Sequence, residues 1–193
     1  LHAHLLDVLG QEIVDGRVAE GDVLQTEKLG ERFGVSRSVV RECMRALESM
    51  GMVEARPQVG TRVLPAINWD LLNPQIVAWR GNGPQYVPQM RELLELRFGV
   101  EVAAVRLASS RMTEDSIAIV GQTVEEMMAA YDARDGRAFL NADVMFHRLI
   151  LEGSSNAVIA QFADTVEALL HTRRRDPGRT ISENTPLSIA NHR

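Results

Sequence analysis

The sequence has almost no cysteine and no long apolar run. Cys43 is the only cysteine, which excludes an intramolecular disulfide framework. No uninterrupted apolar stretch approaches the roughly 20 residues that a membrane-spanning helix needs, and no basic, apolar, small-residue signal pattern opens the chain at Leu1. We therefore expect a protein of the reducing cytoplasm, without a membrane partner, in which Cys43 packs as a small buried residue.

Proline and glycine are also sparse, at 7 and 14 of 193 residues, too few for a disordered or fibrous chain. Hydrophobic residues make up 45% of the sequence and charged residues 24%, as in ordinary globular proteins. A chain of this length can hold one large domain or two small ones. The order of the predicted elements has to decide between these possibilities.

A positive net charge is missing as well. With 21 basic and 26 acidic residues the net charge is −5, which taken alone argues mildly against a partner as anionic as DNA. The distribution matters more than the sum. Between Arg32 and Arg62 there are six arginines against three glutamates, whereas the preceding segment is acidic. The positive charge is therefore local.

Two helices are predicted before the basic segment. Apolar residues at helical spacing predict an amphipathic helix from Leu1 to about Gly16. A second, short helix is predicted from about Glu27 to Phe33, with Thr26 as its N-terminal cap and Gly34 as the left-handed residue that ends it.

A third helix and a hairpin follow. Ser36 can cap this helix, which carries an inward apolar stripe and ends at Gly51. The segment VEARPQVGTRVLP alternates around a loop with proline and glycine, which predicts a β-hairpin. Helix, helix, turn, helix and hairpin is the order of a winged helix-turn-helix.

The rest of the chain predicts helices only. Four helical patterns run at roughly 85–110, 114–133, 136–152 and 156–174, as in an all-α bundle. The fold class is therefore mainly α, a winged helix-turn-helix with a small β-hairpin wing followed by a helical bundle. We expect the winged domain at 1–66, a linker at 67–75 and the helical domain at 76–193.

One face of the third helix carries a row of arginines. Arg37, Arg41 and Arg45 are spaced i, i+4 and i+8, opposite the apolar stripe. Such a row is often a solvated face, and Arg45 could pair with Glu42 or Glu48. The neighbouring short helix and hairpin favour DNA instead, because the major groove admits an α-helix and arginine matches the guanine edge. Base contacts are expected from the first turn, at Ser36, Arg37, Ser38 and Arg41.

Two polar pairs lie on apolar helix faces in the second half. Asp143 and His147 are four residues apart and would be costly to bury without a partner. A divalent metal is one such partner, and an Asp–His hydrogen bond is the other. Arg97 and Glu101 form a second pair, either a plain internal salt bridge or a site in which the arginine fork holds a carboxylate.

The segment from Leu24 to Val63, with the core FGVSRSVVRE, the helix-ending Gly51 and the pair Gly60-Thr61, resembles the DNA-binding domain of GntR-family regulators. The resemblance implies operator contacts for Arg37 and Arg41 and a minor-groove contact for the wing glycine, Gly60. We therefore expect DNA contacts from seven residues of the third helix and the wing, which are Ser36, Arg37, Ser38, Arg41, Arg45, Gly60 and Thr61.

The second half is similar to the FCD domain of FadR-type GntR proteins, through RELLELRFGVE, the D-x-x-x-H of DVMFHRLI and a later His192. That family usually holds its metal with one Asp and three His, and Asp143, His147 and His192 match three of these positions. Imidazole and carboxylate ligands together suit zinc, nickel or manganese, of which zinc is favoured. The resemblance implies that the metal and Arg97 receive an effector carboxylate, with Glu101 beside them. The fourth histidine would lie past Arg193, so the FCD-like domain is expected to be incomplete at its C-terminus.

The resulting hypothesis is a homodimeric repressor that binds an operator duplex and is released by a small carboxylate. The stretch NWDLLNPQIVAWR resembles sugar-acid operon repressors, which implies an aldonate or a related hydroxy acid. A regulator that responds to the metal itself is one alternative. A metal-dependent enzyme that uses Asp143 and His147 is another, but it lacks a general-base constellation and leaves the first 64 residues unexplained.

Overall fold

The structure is a computed structural model that describes residues 2–173. The chain divides into two compact units, Leu1–Val87 and Pro88–Arg193. No helix within residues 2–173 has both the length and the apolar character to cross a membrane.

The first unit is a three-helix core with a small sheet and one further helix. Its elements, in chain order, are α1 (His2–Val14), β1 (Val23–Leu24), α2 (Thr26–Phe33), α3 (Arg37–Ser49), β2 (Val53–Arg56), β3 (Gly60–Val63), a 3₁₀ turn (Ala66–Asn68) and α4 (Pro74–Arg80). The sheet is antiparallel in the order β1-β3-β2. The predicted winged helix-turn-helix is confirmed.

The helix-turn-helix follows the local signals of its sequence, with one exception. Gly34 ends α2 in the left-handed conformation, and the Ser36 hydroxyl caps α3 by accepting from the Val39 N–H. Thr26 is not a cap, because it is the first helical residue and Gln25 takes the cap position without a side-chain hydrogen bond. The two-residue strand β1 was not predicted.

The hydrophobic core of this unit joins the three helices to the sheet. Cys43, Leu9, Leu47 and Met52 are fully buried there, and burial raises the pKa of the Cys43 thiol to about 11. The thiol therefore stays protonated, and the prediction that Cys43 is a packing residue is confirmed.

Helix α4 packs on α1 and belongs to the first unit. The Trp79 ring lies against Gly10, and a Cβ on residue 10 would collide with the ring. The ring nitrogen Nε1 donates to Asp7 Oδ1 at 3.4 Å. The backbone carbonyl of Trp79 accepts from Gln11 Nε2 at 3.1 Å. The first unit accordingly extends to Val87, past the predicted linker at 67–75. The contacts of Trp79 with α1 thus hold residues 74–80 in the first unit.

Up to Arg173, where the described residues end, the second unit contains four helices, α5 (Tyr86–Arg111, whose first two residues fall in the first unit), α6 (Glu114–Asp132), α7 (Gly136–Gly153) and α8 (Ala157–Arg173). Each begins and ends within about two residues of its predicted bounds. Thr113 caps α6 and Asp135 caps α7 through their side-chain oxygens. Buried residues of α7, such as Leu140 and Leu151, pack with α8 in the core.

Gly51, in the turn after α3, is required for two reasons that a pair of substitutions can separate. Gly51 has φ +73, and a Cβ at this position would also collide with the backbone carbonyl oxygen of Asn68. Gly16 has nearly the same φ, +74, but has no atom within 4 Å of a Cβ. We expect Gly51→Ala to lower the free energy of unfolding by about 3 kcal/mol and Gly16→Ala by about 1 kcal/mol. Urea unfolding followed by tryptophan fluorescence measures both, since Trp69 and Trp79 lie in this unit. Equal losses of unfolding free energy in the two variants would contradict the claim that a Cβ at residue 51 collides with Asn68.

The ion pair between the buried Glu12 of α1 and the half-exposed Arg32 of α2 predicts a pH dependence. The hydrogen bond from Arg32 holds the pKa of the buried Glu12 below its ordinary value of 4.5. A lowered pKa in the folded state adds stability that is complete above the unfolded value and is lost as the pH falls through the folded value. Glu12→Gln should therefore cost about 1–2 kcal/mol at neutral pH, and the difference from wild type should shrink below pH 4.5.

The same tryptophan-fluorescence titration, repeated between neutral and acidic pH, checks this expectation. Glu20→Gln is the matched control, because Glu20 is exposed on the same unit and should show no such difference. A gap between wild type and Glu12→Gln that persists unchanged in acid would contradict the assignment.

Candidate nucleic-acid interface and a buried charged cluster

Helix α3 separates an apolar face from a cationic one. Its inner face is buried through Val40, Cys43, Met44 and Leu47. Its outer face exposes all three predicted arginines, Arg37, Arg41 and Arg45. The fold therefore fixes the helix by one side and leaves the guanidinium groups in solvent, as entry into a groove requires.

The basic segment contains arginines of two kinds. Arg32 and Arg56 are bound by Glu12 and Glu54. The Arg32 pair links α2 to α1, whereas the Arg56 pair is an exposed contact within β2. Arg41 and Arg45 have no ion pair or hydrogen bond with any residue that the structure describes.

Arg37 and the glutamates near Arg45 complete this picture. Arg37 has only a loose contact, Nε to Glu27 Oε1 at 3.8 Å, between two side chains that are 71% and 59% exposed. The alternative that Glu48 holds Arg45 is not what the structure contains, because Glu48 Oε1 accepts from the Ala55 N–H at 3.1 Å. The outer face of α3 is thus available to a partner.

The predicted serines lie at the start of α3. The Ser36 and Ser38 hydroxyls are hydrogen-bonded to each other at 2.8 Å, and Ser36 also accepts from Val39 N at 3.5 Å. Both side chains are exposed. Ser36 therefore has a structural task as a cap, and Ser38 lies beside it in the turn that precedes Arg41.

The predicted wing is the hairpin of β2 and β3. Arg56 pairs with Gly60 and Ala55 with Thr61, and the connecting tip at 57–59 is exposed. Gly60 has φ +115, and a Cβ there would lie 2.9 Å from Val23 Cγ1. The glycine is required by the close approach of β1, whatever else it contacts, and Thr61 is half-buried beside it.

In the second unit, the two polar pairs predicted separately form one group. Arg97 and Glu101 come from α5, whereas Asp143 and His147 come from α7. We call these four residues the charged cluster. Glu101 Oε1 accepts from Arg97 Nε at 2.8 Å and lies 2.9 Å from His147 Nδ1. His147 Nε2 is 3.4 Å from Asp143 Oδ1, and Arg97 Nη2 also contacts the His147 ring.

The charged cluster lies in a largely buried environment. The exposed fraction of the side chain is 6% for His147, 9% for Asp143, 11% for Arg97 and 20% for Glu101. Burial raises the pKa of Glu101, but the hydrogen bond from His147 and the charge of Arg97 outweigh it, so that the pKa is below its ordinary value. Burial lowers the pKa of His147, yet hydrogen bonds to Asp143 and Glu101 hold it above its ordinary value. The Glu101 carboxylate is therefore ionised.

The donor set for a metal is present only in part. Asp143 and His147 are oxygen and nitrogen donors on one face of α7, of a kind that suits zinc. Within residues 2–173, no group of three or more His, Cys, Asp or Glu is arranged to hold a metal ion. The third predicted ligand, His192, lies outside the described residues. The described part of the chain thus fits two ligands of a larger set.

Two basic side chains outside the charged cluster, Arg148 and His171, contact carboxylates of α8. Arg148 donates to Asp164 at 2.7 Å and to Glu167 at 2.6 Å, tying α7 to α8. His171 Nε2 lies 3.7 Å from Glu167 Oε1, and the His171 side chain is 42% exposed. Sequence reasoning missed Arg148, whose partners are 16 and 19 residues away, because only its i, i+4 spacing to Glu152 is visible as a pattern.

Comparison with known proteins identifies a family for each half of the chain. A family model described as bacterial regulatory proteins, gntR family, matches residues 1–63, and one described as the FCD domain matches residues 92–193. The HTH-type transcriptional regulator YieP of Escherichia coli (strain K12), itself called uncharacterized, is 32% identical over 169 residues, which are 87% of this chain and 74% of YieP.

Two further relatives extend the comparison to nearly the whole chain. The galactonate operon transcriptional repressor of Escherichia coli (strain K12) is 28% identical over 189 residues, 96% of this chain and 80% of that protein. The solved structure of a Streptococcus agalactiae GntR protein has a TM-score of 0.50 at 21% identity, covering 100% of this chain and 86% of the other, and supports the fold alone. The chain therefore belongs to the GntR family of bacterial regulatory proteins with an FCD domain, and it is a transcriptional regulator and not an enzyme.

Proposed function

We propose that this regulator is a repressor that binds operator DNA through α3 and the wing and is released when a small carboxylate binds the charged cluster. The single observation that carries the DNA-binding part is the free arginine row. Arg41 and Arg45 project from a helix whose opposite face is completely buried. Long cationic side chains with no partner among the described residues match an anionic duplex.

The physical basis of the DNA contact is the shape of the major groove. A groove of B-form DNA admits one α-helix, and the guanidinium fork matches the O6 and N7 acceptors of guanine. A homodimer would place two copies of α3 in successive grooves, about 34 Å apart, on a near-palindromic site. Such a protein works in the cytoplasm, where bacterial DNA is found.

The proposed effector is a hydroxy acid such as an aldonate. Support comes from the buried Arg97, whose planar fork suits a carboxylate, and from the similarity to a galactonate operon repressor. Release on binding follows if the effector prefers one of two arrangements of the protein, a coupling of about 1–3 kcal/mol in comparable systems.

We further propose a divalent metal, with zinc favoured over nickel or manganese, held by Asp143, His147 and His192. A metal ion in this place would supply a Lewis-acidic contact for oxygen atoms of the effector. Asp143 Oδ1 lies 3.4 Å from His147 Nε2, so the two donor atoms already face each other. A bound ion would take the place of the proton between them.

The DNA-binding proposal predicts a specific loss in Arg41→Ala. An operator is first selected from random duplexes with the full-length protein. Arg41→Ala should weaken binding to it about tenfold or more, because a bidentate base contact contributes about 1–3 kcal/mol, and its preference over a scrambled duplex should shrink. Fluorescence anisotropy at fixed salt measures both affinities.

Arg17→Ala is the matched control for Arg41→Ala. Arg17 is also exposed on the first unit, but it pairs with Asp15, and its removal changes the net charge by the same amount. We expect its operator affinity to stay within about twofold of wild type. Equal losses for the two variants would reduce the role of α3 to general charge and contradict the proposal.

The metal proposal predicts which histidines matter. After treatment with a chelator, the full-length protein should bind zinc in calorimetry, and His147→Ala or His192→Ala should weaken that binding about tenfold or more. His171→Ala should not change it, because the His171 side chain is 42% exposed and its ion pair within residues 2–173 is with Glu167. Absence of zinc binding in wild type, or the same loss for His171→Ala, would contradict the assignment.

A further inference from the structure

Glu101 contacts both Arg97 and His147, the two groups of the charged cluster that a carboxylate effector would use. Its Oε1 accepts from Arg97 Nε at 2.8 Å and lies 2.9 Å from His147 Nδ1. A single carboxylate oxygen thus bridges α5 to α7. The same two contacts, one to a guanidinium and one to an imidazole, are those that an external carboxylate would make.

This bridge differs from an ordinary surface pair at i, i+4 spacing. Exposed pairs of that kind contribute little to stability, because water competes for both partners. Here the Arg97 side chain is 11% exposed and the Glu101 side chain 20%, so little water competes. A buried cation left without its anion would be unfavourable. Arg97 therefore needs some carboxylate beside it at all times.

We propose that Glu101 is an internal substitute for the effector carboxylate, which occupies Arg97 and His147 in the effector-free protein and is displaced when the effector binds. The inference rests on the function proposed above, and it changes the predicted role of Glu101 from effector contact to competitor. Binding becomes an exchange of one carboxylate for another. The charge of Arg97 stays compensated throughout.

An exchange of this kind determines which acids can bind. A simple carboxylate such as acetate gains at Arg97 only what Glu101 loses, so it has little net driving force. An aldonate also carries hydroxyl groups, whose additional hydrogen bonds can drive the exchange. Glu101 therefore weakens the binding of every carboxylate by the same factor, so that only an acid with additional hydrogen bonds still binds well. Removing its charge should tighten hydroxy acids and simple acids alike.

The test is calorimetric titration of the full-length protein with D-galactonate and, separately, with acetate. Glu101→Gln has no charge with which to hold Arg97, so it should bind both acids about tenfold or more tightly than wild type, as expected from the strength of a charge-assisted hydrogen bond. Glu101→Asp restores the charge and should return both affinities towards wild type. If Glu101→Gln does not fold, Glu101→Ala makes the same comparison.

Glu95→Gln is the control for a general effect of charge. It removes the same charge from an exposed position on α5, and its affinities should stay within about twofold of wild type. An equal gain in Glu95→Gln and Glu101→Gln would overturn the inference. Unchanged or weaker binding in Glu101→Gln would also overturn it, and weaker binding would restore Glu101 as an effector contact.

Arg97→Leu separates failure of this inference from failure of the proposed function. If Arg97→Leu binds D-galactonate as tightly as wild type, the effector does not use Arg97 and both proposals fall. If Arg97→Leu loses binding while Glu101→Gln equals wild type, only the competitor role falls. If neither wild type nor Glu101→Gln binds D-galactonate, the sugar-acid effector is overturned and the competitor role with it.

Discussion

The pairing of arginine with carboxylate is the interaction on which both units depend. A guanidinium group keeps its charge at any physiological pH, so burying it requires an anion and leaving it in solvent does not. Between α1 and α2 the buried member of the pair is Glu12, which is bound by the half-exposed Arg32. Between α7 and α8 the partly buried Arg148 is bound by Asp164 and Glu167. Each of these contacts connects two helices.

The exposed arginines of α3 have the opposite character. Arg41 and Arg45 lack a carboxylate partner among the described residues, and their helix is held entirely by its apolar side. Their charge is therefore available for recognition, even though the chain as a whole carries a net charge of −5. Arg97 lies between these extremes. It is buried and paired with Glu101, but in our proposal the effector carboxylate replaces that partner.

Local signals made most of the fold predictable. Helical periodicity, the caps at Ser36, Thr113 and Asp135 and the helix end at Gly34 gave the helix-turn-helix and the bounds of the last four helices. Strand β1 was missed because two residues cannot display an alternation. The packing of α4 was missed because it depends on a contact between Trp79 and Gly10, far apart in sequence, although a glycine inside an amphipathic helix was a signal of close approach.

The candidate sites were predictable as pairs but not as an assembly. Spacing placed Arg97 with Glu101 and Asp143 with His147, since each pair occupies one helix face. Their convergence depends on how α5 and α7 pack, and periodicity does not contain that information. The role of Gly60 was likewise only partly visible, because the strand that excludes a side chain there was not predicted.

The central claim is that the unpaired arginines of α3 read guanine in the major groove. Methylation interference tests it most directly, because a methyl group on guanine N7 blocks that edge without changing the phosphate charge. The account predicts that methylation at guanines in each half of a selected operator abolishes binding, with the two sensitive groups about one helical turn apart. Full binding to an operator methylated at every guanine N7 would contradict it.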